Sequence, residues 1–332
     1  MSKKSITIIV CIVIIVFLIG GVFNLFGKND ETNLEENGFI NHINADTKVR
    51  DVISISKFNT FGRFIFPLDY NDNIDLKVSN INSLLPYHSH INTDTTLEVV
   101  NYMIDEVNNE NTIFYDIYTD DEKQTDDTLN DTGLFFFKGN KDKPFAIICA
   151  GGGFSYVGSI HEAYPHALEL SKKGYNAFVL QYRVTSSQDA VEDLARAISY
   201  IFENKDTFEV DTENYSLWGS SAGARMVAYI GSYGVSYFGG DNLPKPSTVV
   251  MAYTGHTDYS DDEVPTFVVV GENDGIANPS VMERRVNNLK NMGVDTEFHK
   301  YSNLSHGFGL GIGTSAEGWI NSAVTFWEKH IN

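Results

Sequence analysis

Residues 215–230 read YSLWGSSAGARMVAYI. YSLW is a short apolar run of strand type, and ARMVAYI opens a helical run. Between them lies Gly219-Ser220-Ser221-Ala222-Gly223, a pentapeptide of the form G-x-S-x-G. A strand that turns sharply into a helix needs small residues on either side of the central one. The turn also lifts that side chain to the positive N-terminal end of the helix. Ser221 is therefore the candidate nucleophile, and its neighbour Ser220 is not. A glycine-rich turn without chemistry would carry the same five letters, so the strand before and the helix after are what give them meaning.

Working outward, short β-type runs alternate with helical periodicity from about residue 112. The strand candidates are 112–118, 133–137, 145–149, 176–182, 215–218, 248–253, 266–270 and 296–301. The clearest helix begins near Ala190, where Val191, Leu194, Ala195, Ile198, Ile201 and Phe202 repeat at helical spacing and mark one buried face. This alternation predicts an α/β fold, a mostly parallel central sheet with helices on both faces. In such sheets the ligand site lies at the carboxyl ends of the strands.

Two further pieces fall at such ends. Ala150-Gly151-Gly152-Gly153-Phe154 follows the run FAIIC, and glycines there let backbone amides approach an oxygen that turns negative during acyl transfer. Gly152 and Gly153, with the amide of Ala222, are the candidate oxyanion hole. A serine hydroxyl also needs a base beside it. Of the nine histidines, His306 alone sits in a glycine-flanked loop after the last strand; His256 and His299 read as structural or surface residues. The acid should follow the run TFVVV, which points to Asp274, with Glu272 as the alternative. The chain order Ser221, Asp274, His306 is that of the α/β-hydrolases.

These pieces carry a resemblance. CAGGGFSYVG (149–158), KKGYNAFVLQYRV (172–184), EDLARAISYI (192–201), WGSSAGAR (218–225) and SHGFG (305–309) are similar to the α/β-hydrolase esterase/lipase superfamily. The nearest branch is that of feruloyl and acetylxylan esterases. The resemblance implies an ester hydrolase that works without a cofactor. Ala150 departs from it, standing where lipase-like relatives carry histidine. Arg225, one helical turn after Ser221, also departs; it reads first as half of a buried ion pair and second as a partner for a substrate carboxylate. Phe154 and Tyr156 are candidate substrate-binding residues that could line an acyl or aryl pocket, although core packing is the commoner role of such aromatics.

The remainder of the chain sets bounds. A formal charge of −20 disfavours nucleic acid and anionic surfaces. Two cysteines, Cys11 and Cys149, make neither a disulfide framework nor a metal site. Asp69-x-Asn71-x-Asn73 lacks the glycine and the final glutamate of a calcium loop, and His161-Glu162 lacks the second histidine of a zinc-protease helix. No metal is expected. Residues 6–26 are uncharged and apolar, long enough for about 30 Å of helix. Lys3 and Lys4 precede them and Asp30, Glu31, Glu35 and Glu36 follow. The expectation is a single-pass anchor over residues 1–27, its N-terminus cytoplasmic and the rest extracytoplasmic. Then come a linker (28–45), an extension or small cap (46–110) containing a helix over 95–107, and the catalytic domain (111–332). The acidic stretch 120–131 reads as a solvated loop. The expected partner is a small-molecule or polysaccharide-linked ester. The rivals are a serine exopeptidase or amidase on the same fold, and a binding protein on a dead hydrolase scaffold.

Overall fold

The computed structural model describes residues 34–69 and 72–331; the apolar run at 6–26, with Cys11, lies outside them. Among the described residues no helix is long and apolar enough to cross a membrane.

A two-stranded hairpin, β1 (Glu35–Glu36) and β2 (Phe39–Ile40), precedes the main sheet. The main strands are β3 (Phe114–Tyr115), β4 (Gly133–Phe137), β5 (Lys143–Cys149), β6 (Asn176–Gln181), β7 (Val210–Ser220), β8 (Thr248–Ala252), β9 (Thr266–Gly271) and β10 (Thr296–Tyr301). They run in the order β10-β9-β8-β7-β5-β6-β4-β3. The pairs from β10 to β6 are parallel, while β4 is antiparallel to both β6 and β3. Strands covered on both faces need apolar side chains at every position rather than at alternate ones. That is why FAIIC, TVVMA and TFVVV are unbroken, and all of their residues are buried.

The helices are α1 (Val49–Ile53), α2 (Thr93–Asn108), α3 (Asp120–Thr125), α4 (Ser159–Glu162), α5 (Tyr164–Lys172), α6 (Ser187–Glu203), α7 (Lys205–Phe208), α8 (Ala222–Tyr233), α9 (Pro279–Asn291) and α10 (Trp319–Glu328). Side-chain alternation along the strands sorts two faces. Phe145 and Tyr215 meet Phe202 of α6 on one face, and α6 in turn packs on α8. Trp218 points the other way, to Trp319 and Trp327 of α10, and Trp319 meets His166 of α5 edge-on.

Two expectations change. The run 112–118 yields only Phe114–Tyr115, since this edge strand pairs with β4 over two residues and then leaves the sheet. The acidic stretch 120–131 is not a loop. It forms α3 and a 3-10 turn, because Thr119 and Glu122 close a reciprocal capping box and Asp120, Asp121 and Glu122 sit at the favourable end of the helix dipole. The extension at 46–110 packs on the sheet. Val49, Val52, Phe58, Ile65, Val99, Val100 and Ile104 are buried in the same hydrophobic cluster as the sheet. The helix at 95–107 is α2, extended at both ends and capped by the Asn92 side chain.

Candidate active site

Ser221 stands between β7 and α8 with φ 51° and ψ −111°, a backbone conformation that a non-glycine residue adopts only when its surroundings impose it. The surroundings here are tight. The Ser221 N–H donates to the Ala252 carbonyl at the end of β8, 2.8 Å away. A Cβ on Gly219 would lie 2.4 Å from the Gly223 backbone, and one on Gly223 would lie 2.0 Å from the Cys149 carbonyl oxygen. Both glycines are therefore steric requirements of the turn. Ser221 itself remains partly accessible.

The His306 ring lies beside it. Its Nε2 is 2.9 Å from Ser221 Oγ, and its Nδ1 is 2.7 Å from Asp274 Oδ2. Asp274 is held in turn, its Oδ1 accepting the N–H groups of Ile276 (2.9 Å) and Ala277 (2.7 Å). Asp274 and His306 are both buried. Glu272, the alternative acid, is exposed and among the described residues accepts only from the Asn303 amide. His299 pairs with Glu297 on β10, and His256 packs against Tyr229.

The glycine loop sits over the serine. Gly151 is close enough that an added Cβ would stand 2.8 Å from Ser221 Cβ. Gly152 has φ +135°, and a Cβ there would meet the Tyr156 carbonyl oxygen at 2.0 Å. Among the described residues, the amides of Gly152, Gly153 and Ala222 have no hydrogen-bond acceptor. Three preoriented donors without partners, next to a serine–histidine pair, suit an oxygen that gains charge. Gly152→Ala keeps the N–H but its Cβ must push the loop off the Tyr156 carbonyl, so it is expected to misplace the donor and cut kcat for a short-chain ester by about 10²-fold. Stopped-flow acylation assays on the folded variant check this; an unchanged kcat would remove the loop from the chemistry.

The N-terminal segment reaches into the same place. Ser89 Oγ donates to the His306 carbonyl (2.7 Å), and the Ser89 N–H donates to that of Gly307 (2.9 Å). Tyr87 stacks on Tyr156 with centroids 5.8 Å apart, and Tyr156 OH lies 2.9 Å from His88 Nδ1. His88 Nε2 is 3.2 Å from the buried carboxylate of Glu162. Burial alone would raise the Glu162 carboxyl, but His88, His161 and the Gly151 amide hold it down to about 2.

Tyr156 thus belongs to a buried network as well as to a surface. It lines a cavity of about 490 Å³ with Ser155, Val157, Tyr182, Phe66 and Leu84, among others. Ser221 does not line that cavity, so it adjoins the centre without containing it. Phe154 is half-buried, with φ 57° and its ring 6.3 Å from Tyr182. Arg225 corrects the expectation of a buried ion pair. It is exposed, lies over the Tyr229 ring, hydrogen-bonds Tyr229 OH at 3.2 Å, and has no ion pair among the described residues. Cys149 is buried, which pushes its thiol well up and leaves it inert. No group of three or more histidine, cysteine, aspartate or glutamate side chains suited to a metal occurs among the described residues.

A parallel sheet with this strand order, a serine on the β7–α8 elbow, and an acid and a histidine after the next strands complete one pattern. The chain has the α/β-hydrolase fold. Comparison with known proteins agrees. The BD-FAE family model matches residues 135–243, which hold the glycine loop and the elbow. An α/β-hydrolase enzyme from a Medee basin deep-sea metagenome library superposes with TM-score 0.52 at 22% identity, over 60% of this chain and 92% of that one. The acetyl ester-xyloside bifunctional hydrolase of Caldicellulosiruptor lactoaceticus gives 0.53 at 21%, over 60% and 88%. The carboxylesterase Cest-2923 of Lactobacillus plantarum gives 0.51 at 20%, over 60% and 92%. In sequence, the chain is 30% identical over 136 residues to endo-1,4-β-xylanase B of Butyrivibrio fibrisolvens. That match covers 36% of this chain and spans only 21% of the relative's length.

The residues that sequence reading missed are His88, Glu162 and Tyr253. In sequence, His161-Glu162 resembles only the start of a zinc motif, and His88 lies in a segment with no recognisable pattern.

Proposed function

We propose that this protein is a serine carboxylic ester hydrolase that works through an acyl-enzyme, with acetyl or feruloyl groups on polysaccharide as its natural esters. The observation that carries the reading is the continuous hydrogen-bonded line Ser221–His306–Asp274, at 2.9 and 2.7 Å, beside three amides without acceptors among the described residues. His306 takes the Ser221 proton as Oγ attacks the ester carbonyl. Gly152, Gly153 and Ala222 hold the resulting oxyanion, and Asp274 fixes the imidazole tautomer and balances its charge. His306 then gives the proton to the departing alcohol. Water, deprotonated by the same ring, releases the acid and restores the serine.

Support for the substrate class comes from the company of the fold. One structural neighbour is an acetyl ester-xyloside bifunctional hydrolase, and the sequence relative is a xylanase. Support for anchoring comes from the uncharged run at 6–26 with Lys3 and Lys4 before it, which would tether the domain outside the cell.

The full chain, expressed and fractionated, tests the reading. Hydrolysis of p-nitrophenyl acetate should sediment with membranes and exceed that of aminoacyl p-nitroanilides by orders of magnitude. Acetate or ferulate should be released from acetylated xylan or feruloyl esters. Preference for the anilides would turn the assignment to a peptidase, and no turnover of either, with no labelling of Ser221 by a fluorophosphonate, to a binding role.

A further inference from the structure

Glu162 is the fully buried last residue of α4, and the reaction just described does not use it. An ionised carboxylate withdrawn from water costs several kcal/mol unless its lone pairs are satisfied by donors and charge. Here both oxygens are satisfied, and each donor belongs to a different part of the site. Oε2 accepts the N–H of Gly151, 2.7 Å away, in the residue immediately before the oxyanion glycines. The same oxygen lies 3.2 Å from His88 Nε2 on the N-terminal segment. Oε1 accepts the hydroxyl of Tyr253 at 2.8 Å.

Each arm leads to a working group. Gly151 carries Gly152 and Gly153. Tyr253 follows Ala252, whose carbonyl pins the Ser221 amide, and its ring meets His306 edge-on at 5.0 Å. The Tyr253 hydroxyl also accepts the Gly309 amide at 3.3 Å, beyond the His306 loop. His88 adjoins Ser89, which donates to the His306 carbonyl. Burial, and then the Glu162 charge, push the Tyr253 phenol well above its ordinary value, so it stays a donor. The glycine loop and the nucleophile turn follow the paired strands β5 and β7, whereas the base loop follows β10, which β8 and β9 separate from them.

We propose that Glu162 is a positioning residue for catalysis: its carboxylate ties Gly151, Tyr253 and His88 together and so sets the oxyanion donors at the right distance from Ser221 and His306. The proposal rests on the hydrolase reading above. It requires a carboxylate. All three partners present a hydrogen to Glu162, and an amide of the same shape would turn two of its own hydrogens toward at least one of them.

The test is Glu162→Gln in the full chain, with p-nitrophenyl acetate as substrate and a small alkylboronic acid as the tetrahedral probe. Misplacing the donors is expected to lower kcat by about 10²-fold and to weaken the boronate by a similar factor. KM should stay within about threefold, because ground-state contacts are untouched. Active-site titration with a fluorophosphonate corrects for any unfolded fraction, which a purely structural role would reduce without altering kcat per titrated site. If Glu162→Gln does not fold, Tyr253→Phe decides the matter. It removes one arm only, with about a tenfold fall in kcat and unchanged KM expected. A kcat per site equal to wild type in the folded variant overturns the proposal and leaves the hydrolase reading standing. A wild-type chain that neither hydrolyses esters nor labels at Ser221 overturns both.

Discussion

His306→Ala is expected to lower kcat for p-nitrophenyl acetate by about a millionfold, with the fold intact. The size follows from the geometry. Ser221 Oγ has one base within reach, at 2.9 Å, and without it the attack must proceed from an un-ionised hydroxyl. Ser221→Ala should cost about the same, and the double variant hardly more, because the two side chains act as one unit. Asp274→Asn should cost less, about 10⁴-fold. The side chain keeps an oxygen for the Ile276 and Ala277 amides, so the loop stays in place, but an amide hydrogen would face His306 Nδ1 and favour the wrong tautomer. A residual rate of about 10³-fold over water should remain from the oxyanion donors. Single-turnover kinetics on purified variants measure all four. A His306→Ala chain within about tenfold of wild type would end the case for this triad.

The second large effect is acid instability above the carboxylate range. His161, His166 and His256 are all buried, and burial lowers each from 6.5 to about 4; neighbouring His88 adds to it for His161, and Arg285 and Arg225 for His256. Among the described residues, His166 Nε2 and His256 Nε2 have no hydrogen-bond partner, so neither ring gains a bond there by charging. The sign is fixed by which state binds protons. Unfolded rings take them up near pH 6.5, native rings not until about 4, so stability is complete above 6.5 and falls steadily as pH drops toward 4. Each ring contributes on the order of 3 kcal/mol across that window. Three such rings approach the whole stability of an ordinary domain, so unfolding should intervene before all of them titrate. Glu162 acts lower, between 4.5 and about 2, and cannot account for losses above 4.5. Differential scanning calorimetry from pH 7.5 to 4.5 should show a falling Tm and uptake of protons on unfolding. A flat Tm over that range would mean that these rings are solvated.

What the sequence disclosed depended on how local the signal was. The parallel strands were legible because double burial writes an unbroken apolar run into consecutive residues; β10 coincides with the stretch TEFHKY. Edge pairing is written elsewhere, in the partner strand, and so TIFYDIY promised more strand than Phe114–Tyr115. The stretch 120–131 misled because charge suggested solvent, while its T-x-x-E start, Thr119 to Glu122, was a capping box in plain view. Ser221 and His306 stood out because each sits beside glycines that its turn requires, and Asp274 because it follows the apolar run of β9. Glu162, His88 and Tyr253 did not. They lie 91 residues apart in the Glu162–Tyr253 bond, and nothing in their neighbours distinguishes them from core residues. The N-terminal segment is invisible for the same reason, since its role lies in what it touches.

That segment also has a temporal consequence. The bond from Ser89 to the His306 carbonyl spans 217 residues, so a growing polypeptide makes one partner early and must wait for almost the whole chain before the other leaves the ribosome. Closing so long a loop is entropically slow and comes after the sheet can reward it. Refolding followed by tryptophan burial should therefore run ahead of refolding followed by turnover, with catalytic competence arriving only when the N-terminal strap has been laced into the loop at residues 306–309.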